Sequence, residues 1–252
     1  MSGLRVERDG AVLRVTLARP ERRNAFDAEL IRELTAAFSD VGDARAVVLA
    51  GDGPAFCAGA DVEWQRVSID LTYEENVQDA MRLFEMLSAI DGCPAPVVAR
   101  IHGYCLGGGC GLAACADIAI ADADAIFGFS EVKLGIVAAV ISPFVLAKIG
   151  SGAARRYFLT AERFGPSVAH HIGLVSEVAS VLDGAVEGVV DELLTSGPNA
   201  VREAKRLVRP EPARGIELAR LAATLRTSEE GQEGLRAFLE KREPAWRSAS
   251  SS

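Results

Sequence analysis

The N-terminal part of the chain alternates apolar and polar residues in a pattern that predicts a β-hairpin. Leu4–Glu7 and Ala11–Leu17 each follow the two-residue period of a strand with one buried face. Asp9 and Gly10 lie between the two segments, and Asp-Gly is a preferred pair for a tight two-residue turn. We therefore expect the chain to begin in a sheet.

A helix and a buried strand are predicted next. Asp27 is a favourable N-cap residue, and the positions after it follow the 3.6-residue period of a helix. Residues 46–50, with the sequence AVVLA, are continuously apolar, as in a strand buried on both faces. The apolar helix positions are Leu30, Ile31, Leu34 and Phe38.

The same order of elements recurs along the chain. The pattern predicts a long helix over Tyr73–Ile90, a strand over Val97–Ile101 and a further strand near Asp117–Ala121. Together with the N-terminal segments, this order predicts an α/β fold built from ββα units.

Length and composition fit a large folded core with a helical appendage. The chain has 252 residues, of which 49% are hydrophobic, so it can bury a substantial core. From about residue 185 the strand signals fade, and prolines separate helical stretches. We expect a core over residues 1–190 and a C-terminal helical region over residues 191–252, with a polar tail from about residue 247.

Charge and hydropathy exclude several classes of function. Asp and Glu number 35 against 27 Lys and Arg, a formal net charge of −8, so the overall charge favours neither nucleic acid nor an anionic membrane. No apolar leader begins the chain and no apolar run reaches about 18 residues, so we expect a cytoplasmic protein that does not enter a membrane. The five cysteines include no C-x-x-C pair, and the three histidines suggest no metal-ligand set.

A dense glycine cluster is the first candidate for chemistry. Within residues 102–117, HGYCLGGGCGLAACAD, the cluster Gly107, Gly108, Gly109 and Gly111 lies between a predicted strand and a predicted helix of small residues. Glycines let a ligand approach the backbone, and a helix that begins near Gly108 leaves unpaired N–H groups that suit an oxyanion. Close packing of the strand on the helix is the alternative explanation. The spacing matches neither the phosphate-loop nor the dinucleotide-binding pattern.

A second turn of small residues follows the buried strand at residues 46–50. Within residues 54–64, the sequence Ala58-Gly59-Ala60-Asp61 offers another exposed backbone turn. Two such turns can each supply one N–H to a thioester oxygen, and a preorganised donor of this kind is often worth about 3–4 kcal/mol.

Glu131 is the candidate acid–base residue. It lies within residues 127–144, FGFSEVKLGIVAAVISPF, a largely apolar segment. Desolvation by apolar surroundings raises the pKa of a carboxyl and favours acid–base catalysis near neutral pH. A glutamate in an exposed turn is the alternative.

Taken together, these segments resemble the crotonase, or enoyl-CoA hydratase/isomerase, superfamily. The similarity extends from about Val12 to the closing FLEKREP. It implies a crotonase-like spiral of ββα units with a C-terminal α-helical region. It also implies an enzyme that binds an acyl-CoA thioester and stabilises its enolate, without a cofactor, since CoA is part of the substrate, and without a metal.

The resemblance assigns roles to particular residues. It places the two oxyanion-hole N–H donors at Ala58 and Gly108 and the acid–base carboxylate at Glu131. Residues 23–25, Arg-Asn-Ala, are similar to the family's stretch beside the CoA nucleotide, which makes Arg22 or Arg23 a candidate phosphate contact, unless both are simply solvated. The residues expected to bind the substrate are Arg22, Arg23, Ala25, Ala58, Gly59, Ala60, Asp61 and Gly108.

One position departs from the family's pattern. Family hydratases carry a second glutamate three residues after the central glycine, and this chain has Gly111 there. Glycine in a helix costs about 0.5–1 kcal/mol relative to alanine, so we expect bulk to be excluded at this position to admit a wider acyl group. For hydration, we expect a polar group from residues 64–75, with Asp70, Tyr73 and Glu74 as candidates, or a water held by the backbone, to replace the carboxylate.

Three functions remain open at this stage. The first is hydration of a short or branched 2-enoyl-CoA, because residues 132–150 resemble the branch that includes methylglutaconyl-CoA hydratases. The second is Δ3,Δ2-enoyl-CoA isomerisation with Glu131 as the single proton shuttle. The third is a non-catalytic acyl-CoA-binding or assembly subunit, against which the intact Glu131 argues.

The resemblance further implies a homotrimer or homohexamer whose C-terminal helices cover neighbouring active sites. In this chain the apolar positions of those helices would lie in an interface or in the core of the subunit. They are Leu225, Leu235, Phe238 and Leu239.

Overall fold

A computed structural model describes residues 3–208 and 216–248 of the chain. Its strands are β1 Leu4–Asp9, β2 Val12–Leu17, β3 Ala46–Gly51, β4 Ala55–Cys57, β5 Val97–Ile101, β6 Tyr104–Leu106, β7 Ile118–Asp122, β8 Ile126–Gly128 and β9 Glu177–Ala179. Its helices are α1 Ala28–Ser39, α2 Val62–Ser68, α3 Tyr73–Gly92, α4 Gly108–Cys115, α5 Ser142–Thr160, α6 Pro166–His171, α7 Leu182–Thr195, α8 Pro198–Leu207, α9 Ile216–Thr227, α10 Glu229–Glu240 and α11 Ala245–Ser248. Short 3-10 turns cover Pro20–Arg22 and Glu131–Leu134.

The larger sheet is mixed and has the strand order β1-β2-β3-β5-β7-β9. β1 and β2 form the predicted antiparallel hairpin, and each later strand of this sheet pairs in parallel with its neighbour. Parallel neighbours require long crossovers, and those formed by α1, α3 and α4 contain the helices predicted from the sequence, whereas α5, in the crossover between β7 and β9, was not predicted. The predicted hairpin, the helix capped by Asp27, the long helix from Tyr73 and the strand Val97–Ile101 are confirmed.

Both faces of the sheet are buried at its central strands β3 and β5, which explains their continuously apolar sequences. The main core includes the four predicted positions of α1 together with Val47 and Leu49 from β3. On the opposite face, Val48 of β3 belongs to a second cluster with Val186 and Val190 of α7. Successive residues of β3 therefore pack into different cores.

α7 also crosses residue 190, the expected end of the core. The division into a core and a C-terminal helical region stays a prediction, and residues 249–252 of the expected polar tail lie outside the described residues.

Across the described ranges, every helix is too short or too polar to traverse a bilayer. The cytoplasmic location stays a prediction.

A smaller sheet of three parallel strands positions the candidate site. Its order is β4-β6-β8, and each strand has three residues. The segments that follow these strands begin at Ala58, Gly107 and Phe129, so they all leave from the same edge of the sheet. This edge, at the carboxyl ends of parallel strands, is where α/β proteins commonly bind ligands. The hydrophobic pattern does not predict β6 or β8, because three residues are too few to establish a period.

The side chain of Asn24 holds the loop after β2 against the segment between β3 and β4 by hydrogen bonds. Its side chain is fully buried, its Oδ1 accepts a hydrogen bond from the Arg19 N–H at 2.9 Å, and its Nδ2 donates to the carbonyls of Asp52 and Ala55 at 2.8 and 2.7 Å. Asn24 has φ +55°, a left-handed conformation that asparagine tolerates better than most residues. One side chain thus satisfies three backbone groups, of which the Ala55 carbonyl is fully buried.

We expect Asn24→Ala to lower the free energy of unfolding by about 3 kcal/mol, because it leaves three backbone groups without their partner. Chemical denaturation monitored by circular dichroism measures this change. Asn199→Ala is the matched control, since Asn199 is exposed and its side chain makes no hydrogen bond that is described. A loss of less than 1 kcal/mol at Asn24 would contradict this account of the loop.

Candidate active site

The three glycines at the start of α4 are needed because other groups pack where their side chains would be. A Cβ on Gly109 would lie 2.3 Å from the Cys57 carbonyl oxygen, and one on Gly108 would lie 2.4 Å from the Phe26 ring. Gly107 has φ +51°, and its Cβ would lie 3.1 Å from Oε1 of Glu131. The cluster brings backbone, aromatic ring and carboxylate close to one helix N-terminus. Close packing and ligand access therefore coexist here.

The turn after β4 packs directly against this helix N-terminus. Gly59 has φ +93°, and a Cβ there would lie 2.9 Å from the Leu106 carbonyl oxygen and 3.4 Å from the Gly108 nitrogen. The two small-residue turns predicted from the sequence are thus neighbours. They belong to one site, as the prediction of a paired donor arrangement requires.

The structure changes which residue of this turn offers an N–H. The N–H of Ala58 donates to the Arg23 carbonyl at 2.9 Å, so it is already used, and the assignment of Ala58 as an oxyanion donor is wrong on this geometry. Phe26 instead forms a parallel bridge with Ala60, in which the Phe26 N–H donates to Gly59 and the Asp61 N–H donates to Phe26, both at 2.8 Å.

Successive N–H groups of an extended segment point to opposite sides. Since the Asp61 N–H points to Phe26, the N–H of Ala60 points away from it. Ala60 lines the cavity described below, and its N–H has no hydrogen-bond partner in the described part of the chain. Gly108 is the first residue of α4, and its N–H likewise has no hydrogen-bond partner among the described residues. Ala60 and Gly108 are therefore the available pair.

Asp61 fixes the turn that carries Ala60. It is 3% exposed, caps α2 by accepting from the Glu63 N–H at 2.8 Å, and pairs with Arg22 at 3.0 Å. Burial alone would raise the pKa of the Asp61 carboxyl, but the Glu63 N–H and the Arg22 guanidinium outweigh burial and lower it. Asp61 is therefore an anchoring residue of the turn.

The arginines predicted to meet phosphate differ in their surroundings. Arg22 is engaged by Asp61 through Nη1. The guanidinium of Arg23 lies 5.5 Å from the centre of the Tyr104 ring, and that of Arg163 lies 5.9 Å from the same ring. Ala25 is buried and presents its carbonyl to Arg19 at 3.1 Å.

Glu131 lies beside the free N–H groups, as predicted. Its Oε2 is buried and has no hydrogen-bond partner among the described residues, and Oε1 lies over Gly107. Burial raises the pKa of the Glu131 carboxyl above its ordinary value, partly opposed by a hydrogen bond from its own backbone N–H. A desolvated carboxyl of raised pKa with one oxygen free is suited to proton transfer near neutral pH.

These groups line a cavity of about 190 Å³. Phe26, Ala60, Gly108 and Glu131 contribute to it. The remaining wall is largely aliphatic, from α3 and from the segment between Leu134 and the start of α5. The aliphatic side chains of that wall include Leu83, Leu134, Ile136, Val137, Val140 and Ile141.

The position of the missing second glutamate is filled by Ile141. A Cβ on Gly111 would lie 2.7 Å from Cγ2 of Ile141 and 3.5 Å from Cδ2 of Leu87, while Ile141 itself is 3% exposed and lines the cavity. The expectation that Gly111 widens the acyl site is therefore wrong. The space beside Gly111 is occupied by an aliphatic side chain, because Ile141 packs onto the helix.

The segment predicted to supply a replacement polar group reaches the cavity at a residue that was not among the candidates. Gln65 of α2 lines the cavity, whereas Asp70, Tyr73 and Glu74 do not, and Tyr73 is 78% exposed. Sequence reasoning missed Gln65. Its position one turn after the Asp61 cap was the available signal, since a side chain in the first turn of α2 lies close to the turn that carries Ala60.

The cysteines around the glycine cluster are fully buried. Burial raises the pKa of Cys57 to about 12 and that of Cys105 well above its ordinary value. Their thiols therefore stay protonated, and they act as small core side chains.

The chain is similar to known proteins over most of its length. A family model described as enoyl-CoA hydratase/isomerase matches residues 7–249. The enoyl-CoA hydratase ACTT6 of Alternaria alternata is 34% identical over 214 residues, which cover 82% of this chain and 70% of that protein.

Solved structures of relatives match almost the whole fold. An enoyl-CoA hydratase from Shewanella pealeana superposes with a TM-score of 0.91 at 37% identity, covering 97% of this chain and 96% of that one. Pseudomonas aeruginosa AtuE gives a TM-score of 0.92 at 37% identity, with coverage of 97% and 99%. The expected fold class, a crotonase-like α/β spiral, is confirmed.

We expect Gly111→Ala to lower the free energy of unfolding by about 1–3 kcal/mol, although alanine favours helix, because its methyl group collides with Ile141. Gly188→Ala in α7 is the control: nothing lies within 4 Å of its Cβ position, so it should stabilise by up to about 1 kcal/mol. Denaturation of Gly111→Ala, Ile141→Ala and the double variant measures the coupling. Additive losses would argue against the contact.

Proposed function

The chain belongs to the enoyl-CoA hydratase/isomerase family, and from this premise we propose that it adds water reversibly to a short or branched 2-enoyl-CoA. One observation carries the proposal. The carboxyl of Glu131, whose Oε2 is buried and whose pKa is raised, lies over Gly107, next to the residue with the free N–H, Gly108. An acid–base group next to an oxyanion donor is what addition to an α,β-unsaturated thioester requires.

The N–H groups of Ala60 and Gly108 bind the thioester oxygen. Both are held by backbone contacts that exist before substrate arrives, so little reorganisation is needed when negative charge develops on that oxygen. The two donors polarise the conjugated double bond and make C3 electrophilic. They then stabilise the enolate that forms when water adds.

Glu131 moves the protons of the reaction. The oxygen of water bonds to C3, Glu131 accepts the proton that this water loses, and a proton passes from Glu131 to C2 of the enolate. The carboxylate is regenerated at the end of each cycle, so one acid–base group suffices for the balance of protons. Gln65, an uncharged polar side chain on the α2 wall, is suited to hold the attacking water by hydrogen bonds.

Isomerisation is the second candidate, and Ile141 is the observation that favours it. Since Ile141 fills the space beside Gly111, Glu131 is the one carboxylate among the described residues that line the cavity. A Δ3,Δ2-enoyl-CoA isomerase needs one base, which removes a proton from C2 and returns it to C4 of the same enolate. A non-catalytic binding subunit is disfavoured, because it has no need of a buried carboxyl at the oxyanion site.

The CoA moiety and the assembly extend the proposal. Arg23 is the better candidate for a CoA phosphate contact, because Arg22 is engaged by Asp61. A homotrimer or homohexamer is supported by the exposed apolar face of α10, where Phe238 is 81% and Leu239 is 76% exposed. Burying such side chains against a second subunit would remove apolar surface from water.

We expect Glu131→Gln to reduce turnover of crotonyl-CoA by about 10²–10⁴-fold while thioester binding persists, because the amide can hydrogen-bond but cannot accept the proton. In the unmodified enzyme the rate should fall as the pH falls through the raised pKa of Glu131, since protonation removes the base. Glu74→Gln, at an exposed position outside the cavity, is the matched control. Unchanged turnover in Glu131→Gln would refute the assignment.

A substrate comparison tests hydration against isomerisation. We expect the purified protein to hydrate crotonyl-CoA, seen as loss of the conjugated thioester absorbance. A trans-3-enoyl-CoA is the competing substrate, and its conversion to the 2-enoyl product would appear as a gain of the same absorbance. Conversion of the 3-enoyl-CoA alone would replace the hydratase proposal with the isomerase.

A further inference from the structure

Asp61 ties the turn that carries Ala60 to the start of α2. Its Oδ1 accepts a hydrogen bond from the Glu63 N–H at 2.8 Å, and its backbone N–H donates to the Phe26 carbonyl at 2.8 Å. The backbone carbonyl of Asp61 accepts from the Gln65 N–H at 2.9 Å. Asp61 therefore fixes both the residue before it, whose N–H faces the cavity, and the helix that carries Gln65.

Of the two arginines that contact this carboxylate, Arg22 lies closer. Nη1 of Arg22 donates to both carboxylate oxygens, at 3.1 and 3.0 Å. Nη2 of Arg19 lies 3.5 Å from Oδ2 of Asp61, and the same guanidinium pairs with Asp27 at 2.7 Å and donates to the Ala25 carbonyl at 3.1 Å. The charge of Arg19 is thus shared, whereas both hydrogen bonds described for the Arg22 guanidinium go to Asp61.

The two partners of this ion pair differ in their exposure. The side chain of Arg22 is 46% exposed, and that of Asp61 is 4% exposed. Without Arg22, the carboxylate would stay buried and lose its nearest positive charge, so it would take up a proton or move towards water. Either response would displace the turn that holds Ala60. A hydrogen-bond donor to an oxyanion acts only in a narrow geometry, so a small displacement lowers the rate.

We infer that Arg22 is a positioning residue of the oxyanion hole, which acts through Asp61 to hold the N–H of Ala60. The inference rests on the proposed function for the role of that N–H. It gives Arg22 a role other than the phosphate contact expected from the sequence. The nucleotide of CoA is not needed for this role, because the ion pair exists within the chain itself.

A thioester without phosphates tests the role of Arg22. Crotonyl-CoA and crotonyl-pantetheine carry the same reacting group, but the second lacks the nucleotide. We expect Arg22→Gln to lower kcat/KM about tenfold for both, and to lower kcat for crotonyl-CoA with little change in KM, because the lost interaction acts in the transition state. A loss confined to crotonyl-CoA, or no loss with either thioester, would overturn the inference.

A conservative variant tests whether the positive charge is the cause. Arg22→Lys keeps a cation beside Asp61, so we expect it to retain kcat within about threefold of the unmodified enzyme. Arg32→Gln is the matched control, since Arg32 is an exposed arginine of α1 that pairs with Glu29 outside the site, and its kcat should be unchanged. Equal losses in Arg22→Lys and Arg22→Gln would contradict the ion pair as the cause.

A double variant tests whether Arg22 acts through Asp61. Asp61→Asn keeps a side-chain oxygen that can accept from the Glu63 N–H, but it removes the charge that Arg22 meets. We expect Arg22→Gln to lower kcat by less than about twofold when it is added to Asp61→Asn, because the two residues act as one unit. A further tenfold loss in the double variant would show independent action and overturn the inference.

Failure of hydration is distinguishable from failure of this inference. Hexa-2,4-dienoyl-CoA bound to Glu131→Gln should absorb at a longer wavelength than in water, because the two N–H donors polarise its thioester carbonyl without turnover. We expect Arg22→Gln, added to Glu131→Gln, to remove about half of this shift at saturating ligand. That result would support the inference even if crotonyl-CoA is not hydrated. An undiminished shift, or no shift before Arg22 is changed, would overturn it.

Discussion

The close approach of two backbone segments, the turn at Ala58–Asp61 and the N-terminus of α4, is the contact on which the site depends. Gly59 and Gly109 have no room for a side chain, because carbonyl oxygens of the opposing segment lie where a Cβ would be. The approach places the Ala60 and Gly108 N–H groups on one cavity. A larger residue at either glycine would separate the donors, so packing and chemistry impose the same requirement.

Helices and strands with a clear hydrophobic period could be predicted from the sequence. The hydrogen-bond partner of an individual backbone N–H could not. The hairpin at Asp9-Gly10 and the helix after Asp27 follow from local patterns and turn chemistry. The choice between Ala58 and Ala60 depends on a bridge to Phe26, more than thirty residues away along the chain. No local pattern records that pairing, which is why the donor was assigned two residues too early.

Gly111 illustrates the same limit for packing. The sequence shows that a carboxylate is missing and that a helix contains a glycine, and both observations are correct. The space beside Gly111 is filled by Ile141, which lies thirty residues later in the chain, at the start of α5. The glycine is therefore explained by an aliphatic neighbour, and among the described residues the cavity keeps one carboxylate where the sequence pattern of the family led us to expect two.

The surroundings of Glu131 in the cavity set how strong a base its carboxylate is. The pKa of Glu131 is raised by burial, and the same carboxyl shares one cavity with the aliphatic side chains of Val140 and Ile141. A cation placed there to hold a charged substrate would lower the pKa of Glu131 by attraction. The carboxyl would then be a weaker base for the proton that water loses. A cation in this cavity would thus weaken the acid–base group on which the proposed turnover relies.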